Sequence, residues 1–198
     1  MFFFTHLFIS KVLYQLFAGK VELDKRAFQY GNIRPDLPSV ERNHHTLENC
    51  LSIVCDRVNQ LMEEEKSLEY FSVSLGEICH YVSDFFCYYH LNEEIHNKKM
   101  QHFLYELRLH HELFRIRFKK RYVILPSSMQ PRKDISSIIL EMREVYLSQP
   151  QSMRRDIDYA FSSAVWICES IIYFMNYSYQ LTKEAEQELC SLLVKVNI

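Results

Sequence analysis

Glycine and proline are scarce in this sequence: it has three glycines (Gly19, Gly31, Gly76) and five prolines in 198 residues. So few turn-forming residues exclude a fold of many tight hairpins and favour helices joined by a small number of loops. The six cysteines (Cys50, Cys55, Cys79, Cys87, Cys168, Cys190) form no Cys-x-x-Cys pair. Thiolate zinc ribbons and thioredoxin-like chemistry are therefore excluded, and the thiols read as small buried hydrophobes. Charge of one sign is also missing. A net charge of −2 and a pI near 6.5 give no overall attraction toward nucleic acid or anionic lipid. No stretch reaches the roughly 18 to 20 uncharged apolar residues of a membrane span. The nearest, "AFSSAVWICESIIYFMNYSY", is interrupted by Glu169 and Asn176 and reads as a central helix buried on several faces. The opening "MFFFTHLFIS" has no basic n-region and runs straight into Lys11, so it does not read as a signal peptide. A cytoplasmic location with reduced thiols is expected.

What is present is helical periodicity. Leu7, Phe8, Val12, Leu13, Leu16 and Phe17 recur at helical spacing, with Thr5 placed as an N-cap and Gly19 as a stop. A short helix is expected over about 23–30, followed by a loop "GNIRPDLPSVERN". A long helix should start from an N-cap at Asn43, and another from about Tyr70. "HLNEEIHNKK" reads as a polar turn and 98–119 as a helix, which ends in the basic run Arg115, Arg117, Lys119, Lys120 and Arg121. Beyond "LPSSMQP", helices are expected over 134–147, 151–178 and 182–196. About eight helices make one compact all-α domain over 1–198, with metal-site helices in about 5–120 and a helical closing part in 126–198. The basic run is read as a solvated helix end favoured by the macrodipole.

The chemistry lies in the spacing of histidines and carboxylates. His80 and Asp84 are four apart, so on a helix they share one face and can grip one cation. His102 and Glu106 repeat the arrangement on the following helix, and helices joined by a short loop pack side by side. His90 lies ten residues past His80, about 15 Å along a straight helix at roughly 1.5 Å per residue. Either His90 serves a second ion or the helix stops before it. Any one of these histidines alone is ordinary; the combination is not.

With these residues in view, the sequence resembles the bacterial zinc-dependent phospholipase C family, related to the P1/S1 nucleases, over about residues 5–110. "THLFISKVLYQLF" is similar to the family's first helix with its Ser-His-Leu start, which implies His6 as a ligand. "GNIRPD" is similar to the loop whose aspartate is a ligand or general base, which implies Asp36. "LGEICHYVSDFFCYYH" matches in register through His80, Asp84 and His90, and "HFLYE" supplies His102 and Glu106. The remaining histidine of the family pattern falls on "NHHTLE", where His45 is preferred over His44. His96, His110 and His111 match nothing in the motif and are expected at the surface.

The resemblance implies an all-α fold and two zinc ions. A third is left open, because the secreted enzymes complete that site with an N-terminal tryptophan and this chain has Met1 to Phe4 there. Five neutral imidazoles and three carboxylates carry −3 against +4 or +6 from the ions, a balance that suits an anionic phosphodiester. The expected activity is phospholipase C-like hydrolysis of a phosphodiester, phospholipid above all, by metal-activated water, with Asp36 orienting or deprotonating the water and Asp84 bridging ions. Contact with a membrane surface is compatible with that substrate. The alternatives are a P1-like single-strand nuclease and a non-catalytic helical module stapled by zinc.

Overall fold

The computed structural model describes residues 1–37, 45–63, 66–118 and 131–196, with side chains for all of these except 63, 117, 118 and 177–196. Among the described residues there are eight α-helices and no strand. They are α1 (Phe3–Phe17), α2 (Lys25–Gly31), α3 (Leu47–Glu63), α4 (Leu68–Phe85), α5 (Glu93–His96), α6 (Lys99–Phe118), α7 (Ile135–Ser148) and α8 (Met153–Val196). Two single 3-10 turns, Arg34–Asp36 and Tyr88–His90, complete the set. The all-α, single-domain expectation holds. No helix among the described residues is long and apolar enough to cross a membrane.

α4 is the axis of the fold, with α2, α3 and α8 packed around it and α1 touching it. Ser67 caps its start by accepting the Tyr70 N–H. From Phe71 to Phe85 every residue except Val73 is buried. Leu75, Ile78, Val82 and Phe85 are wholly enclosed and meet Ile9, Leu13 and Phe17 of α1 with Ile167, Cys168 and Ile171 of α8 in one continuous core. Each such side chain taken from water contributes about 1.5–3 kcal/mol. That apolar core has to hold His80 and Asp84, both fully buried on the same helix.

Two of the three glycines explain how α2 reaches α4. A Cβ on Gly31 would overlap the Val73 carbonyl oxygen, so the two backbones are in direct contact there. That contact carries the turn holding Asp36 onto α4. Arg34, in the same turn, pairs with buried Glu77 of α4 at 2.5 Å, and Arg57 of α3 pairs with the other Glu77 oxygen at 2.5 Å.

Several helix boundaries differ from the sequence expectation, each for a local reason. Thr5 is not an N-cap: α1 starts at Phe3, and the Thr5 hydroxyl is 2.9 Å from His110 Nδ1 instead. "HLNEEIHNKK" is not a simple turn, because Asn92 accepts the Ile95 N–H at 2.9 Å and caps the one-turn α5. The break expected between 178 and 182 is absent, and α8 runs unbroken, with no Gly or Pro in that stretch to stop it. The Asn43 cap, His44 and the run 119–121 lie outside the described residues, as do the side chains of Arg117 and Cys190. Cys50, Cys79, Cys87 and Cys168 are buried and form no disulfide among the described residues, as their composition implies.

Candidate metal centre

α4 ends abruptly at Phe85, one residue past Asp84. The Arg143 guanidinium, on α7, donates to the Phe85 carbonyl and, at 2.9 Å, to the Leu91 carbonyl, so it satisfies the exposed end of α4 and ties down the segment beyond it. The chain then turns through Tyr88–His90, which brings His90 back to within 3.6 Å of Asp84. The helix therefore stops, and His90 also faces α6: its Nε2 is 3.0 Å from Glu106 and 3.2 Å from His102 Nε2.

All eight residues expected from the sequence come together. His6 of α1, Asp36 at the end of its turn, His45 just before α3, His80 and Asp84 of α4, His90, and His102 and Glu106 of α6 form one continuous cluster. Asp84 is its hub. One carboxylate oxygen is 3.2 Å from His6 Nε2, and the other is 3.1 Å from His45 Nδ1 and 3.4 Å from His80 Nε2. His80 Nε2 and His45 Nδ1 are 2.9 Å apart, and Asp36 Oδ1 is 3.7 Å from both. His102 Nε2 is 2.7 Å from Glu106.

Three of the rings are oriented by backbone carbonyls. His80 Nδ1–H donates to the Asn32 carbonyl at 2.8 Å, His90 Nδ1–H to the His45 carbonyl at 3.3 Å and His102 Nδ1–H to the His96 carbonyl at 3.2 Å. A carbonyl only accepts, so in each neutral ring the proton sits on Nδ1 and the Nε2 lone pair points into the cluster.

The residues fit zinc on this evidence. Two ligands about 2.0–2.1 Å from one tetrahedral ion stand roughly 3.3 Å apart, and the contacts above scatter around that value. The lone pairs of His90 and His102 and a Glu106 oxygen converge with no proton of their own between them, an arrangement that repels itself unless a cation is present. His6 is fully buried, and among the described residues neither of its ring nitrogens has a hydrogen-bonding partner. A cation in fact occupies part of this space. The Met1 nitrogen contacts Asp84 and lies 3.0 Å from His90 Nε2 and 3.2 Å from Glu106. Burial alone would lower its pKa, but Asp84 and Glu106 reverse that and push it up to about 12.

The protonation states suit ligation. Burial, reinforced by His6, holds the His80 imidazole well below its usual value, and burial also lowers His90. Burial alone would raise the Asp84 carboxyl. His90, the Met1 amine, His6 and His80 outweigh it and hold Asp84 well below the carboxylate range, as the Met1 amine and the His102 and His90 contacts do for Glu106. The His80 and His90 rings are held neutral and the Asp84 and Glu106 carboxylates ionised, the forms a metal needs.

Four features escaped the sequence reading. Met1 is buried at the cluster, and nothing in "MFFF" shows it. His96 is half-buried beside His90 and His102, and His110 is half-buried, so of the three histidines expected at the surface only His111 is exposed. Cys87 lies within ligand reach of His90 and Glu106, although burial pushes its thiol well up and disfavours the thiolate. Asp156 of α8 accepts from the Tyr88 N–H at 2.8 Å, the Tyr105 hydroxyl at 2.7 Å and the Tyr146 hydroxyl at 2.8 Å. It thereby fastens the turn carrying His90 to the helix carrying Glu106.

Fold and cluster together define a class: an all-helical protein whose buried core is interrupted by a shared histidine and carboxylate cluster with metal-binding chemistry. The family model for zinc dependent phospholipase C matches residues 5–153, three-quarters of the chain, and the chain belongs to that family. No curated protein and no solved structure gives a significant match.

Proposed function

We propose that this protein is a zinc-dependent phosphodiester hydrolase of the phospholipase C type, with His6, Asp36, His45, His80, Asp84, His90, His102 and Glu106 as the residues that hold two or more zinc ions. The observation that carries the reading is the convergence of eight metal-capable side chains from six separate segments into one cluster around buried Asp84. Zinc bound there supplies Lewis acidity, which neutralises phosphate charge and brings the pKa of water from 15.7 toward about 7.

The protein's own residues divide the remaining work. Asp84 is fully enclosed and held ionised, so it serves as a permanent anion rather than a proton carrier. Asp36 differs. Its side chain is 25% exposed at the rim of the cluster, 3.7 Å from both His45 and His80, where it can hold a water in line with the phosphorus and take its proton. The Asn32, His45 and His96 carbonyls keep the imidazoles in one tautomer throughout.

A phospholipid is favoured over a nucleic acid by the surface beside the cluster. Phe103, next to His102, is half exposed and lines a cavity of about 200 Å³ with His102 and Glu106. The ring of Phe2 bridges Phe103 at 6.4 Å and the exposed Phe4 at 5.5 Å, and Met100 and Leu107 extend the apolar surface. Acyl chains bury apolar area against such a surface and use the aliphatic Met100 and Leu107 side chains, which stacked bases do not. Zinc-loaded protein assayed on lecithin micelles and on single-stranded DNA is expected to release phosphocholine and leave the DNA intact. Cleavage of the DNA alone would replace the lipid assignment, and cleavage of neither by metal-replete protein would contradict the hydrolase.

A further inference from the structure

The cluster contains one histidine more than the reading above uses. His96 ends α5, and its ring stands edge-on to two of the rings already described, 5.1 Å from His90 and 4.6 Å from His102, at 79° and 71°. One ring nitrogen from each of His90, His96 and His102 lies within 4.8 Å of the other two. His96 also lines the cavity shared by His102 and Glu106. Its backbone is fixed from both sides: the Asn92 cap holds α5 in shape, and the His96 carbonyl accepts the His102 Nδ1–H at 3.2 Å. Ring and carbonyl of one residue thus face the same half of the centre.

We propose that His96 is a fourth protein ligand of the ion held by His90, His102 and Glu106, an inference that rests on the zinc reading above. The donor count decides what such an ion does. Three imidazoles and one carboxylate fill a tetrahedral shell, and a filled shell leaves no position for water or substrate; zinc in that state holds structure. The ion at His90, His96, His102 and Glu106 therefore ties the segment 88–97 to α6.

Cobalt(II) is the probe, because its visible absorption strengthens sharply when the ion is four-coordinate. The full chain and its His96→Ala, His96→Cys and His102→Ala variants are stripped of metal and titrated with cobalt and then zinc. His96→Ala is expected to weaken one equivalent by at least the roughly 10- to 100-fold that losing a residue merely orienting a ligand costs, and to lose the strong four-coordinate absorption. His96→Cys is expected to recover binding and add a near-ultraviolet thiolate-to-cobalt band beyond any in the unmodified chain. Unchanged affinity and spectrum in His96→Ala, with an equivalent lost in His102→Ala, would overturn the proposal and leave the metal centre standing. A folded His96→Cys without the added band would overturn it equally. No loss in His102→Ala either would remove the zinc reading itself.

Discussion

Gly76 of α4 and Gly31 of α2 meet backbone to backbone: a Cβ on Gly76 would stand 3.0 Å from the Gly31 Cα and 2.9 Å from the Asn32 nitrogen, and would overlap the Phe28 carbonyl oxygen. All three neighbours are main chain and cannot rotate aside. A Gly→Ala change inside a helix ordinarily gains up to about 1 kcal/mol. Gly76→Ala is expected to lose about 3 kcal/mol or more, because the contact that sets Asn32 against His80 must open. Urea unfolding of the metal-free protein measures it, and a gain in stability would contradict the contact.

Asp156 does for the other half of the cluster what the glycine pair does for the first. Replacing it with Ala strands the buried Tyr146 hydroxyl, the half-buried Tyr105 hydroxyl and the Tyr88 N–H, each worth up to about 1–3 kcal/mol when left unpaired. Asp156→Ala is expected to lower the unfolding free energy by roughly 2–4 kcal/mol after partial relaxation, and to weaken the ion at His90 and Glu106 more than its neighbour. Unchanged zinc affinity would make Asp156 a packing residue only.

Acid should destabilise the metal-free protein, and the sign follows from the directions of four groups. His80 and His90 lie below their ordinary 6.5 in the folded state, so as pH falls through 6.5 the unfolded chain binds protons that the folded rings refuse. Asp84 and Glu106 lie well below their ordinary 3.8 and 4.5. The stability they contribute is full above those values and is lost as pH falls toward their folded-state pKa. Both effects have the same sign. Thermal midpoints of chelator-treated protein are expected to fall steadily from pH 7 to 4, and a midpoint that rises on acidification would contradict the neutral imidazoles.

Phe103→Ser is expected to lower hydrolysis of micellar lecithin about tenfold or more, since burying one aromatic side chain in lipid is worth about 1.5–3 kcal/mol. A soluble short-chain substrate below its micellar threshold should be turned over at the original rate. Equal loss on both substrates would place Phe103 in the site rather than at a lipid surface.

The metal half of this account was legible in the sequence wherever geometry is local or the motif dense. His80 and Asp84 share a helix face whatever surrounds them, and His102 with Glu106 repeats the spacing. Asp36 and His45 are legible only through resemblance: no local spacing shows that the Gly31 and Gly76 contact seats the turn of Asp36 against His80, or that His45 meets Asp84 from another segment. Those glycines carried an unread signal: each sits in or at the end of a helix, where glycine is costly without a close neighbour to require it. His96 was hidden because a single turn, capped by Asn92, redirects it. Asp156 was invisible for a different reason. Its donors at 88, 105 and 146 are brought together only by packing among α6, α7 and α8, and one sequence holds no trace of that.

The most direct test of the central claim is the zinc content of protein purified without added metal, beside its His80→Ala, Asp84→Asn and Asp36→Asn variants. At least two equivalents are expected in the unmodified chain, with loss of metal in the first two variants and loss of activity with most metal retained in the third. Zinc absent from the unmodified protein, or unchanged in all three variants, would contradict the central claim.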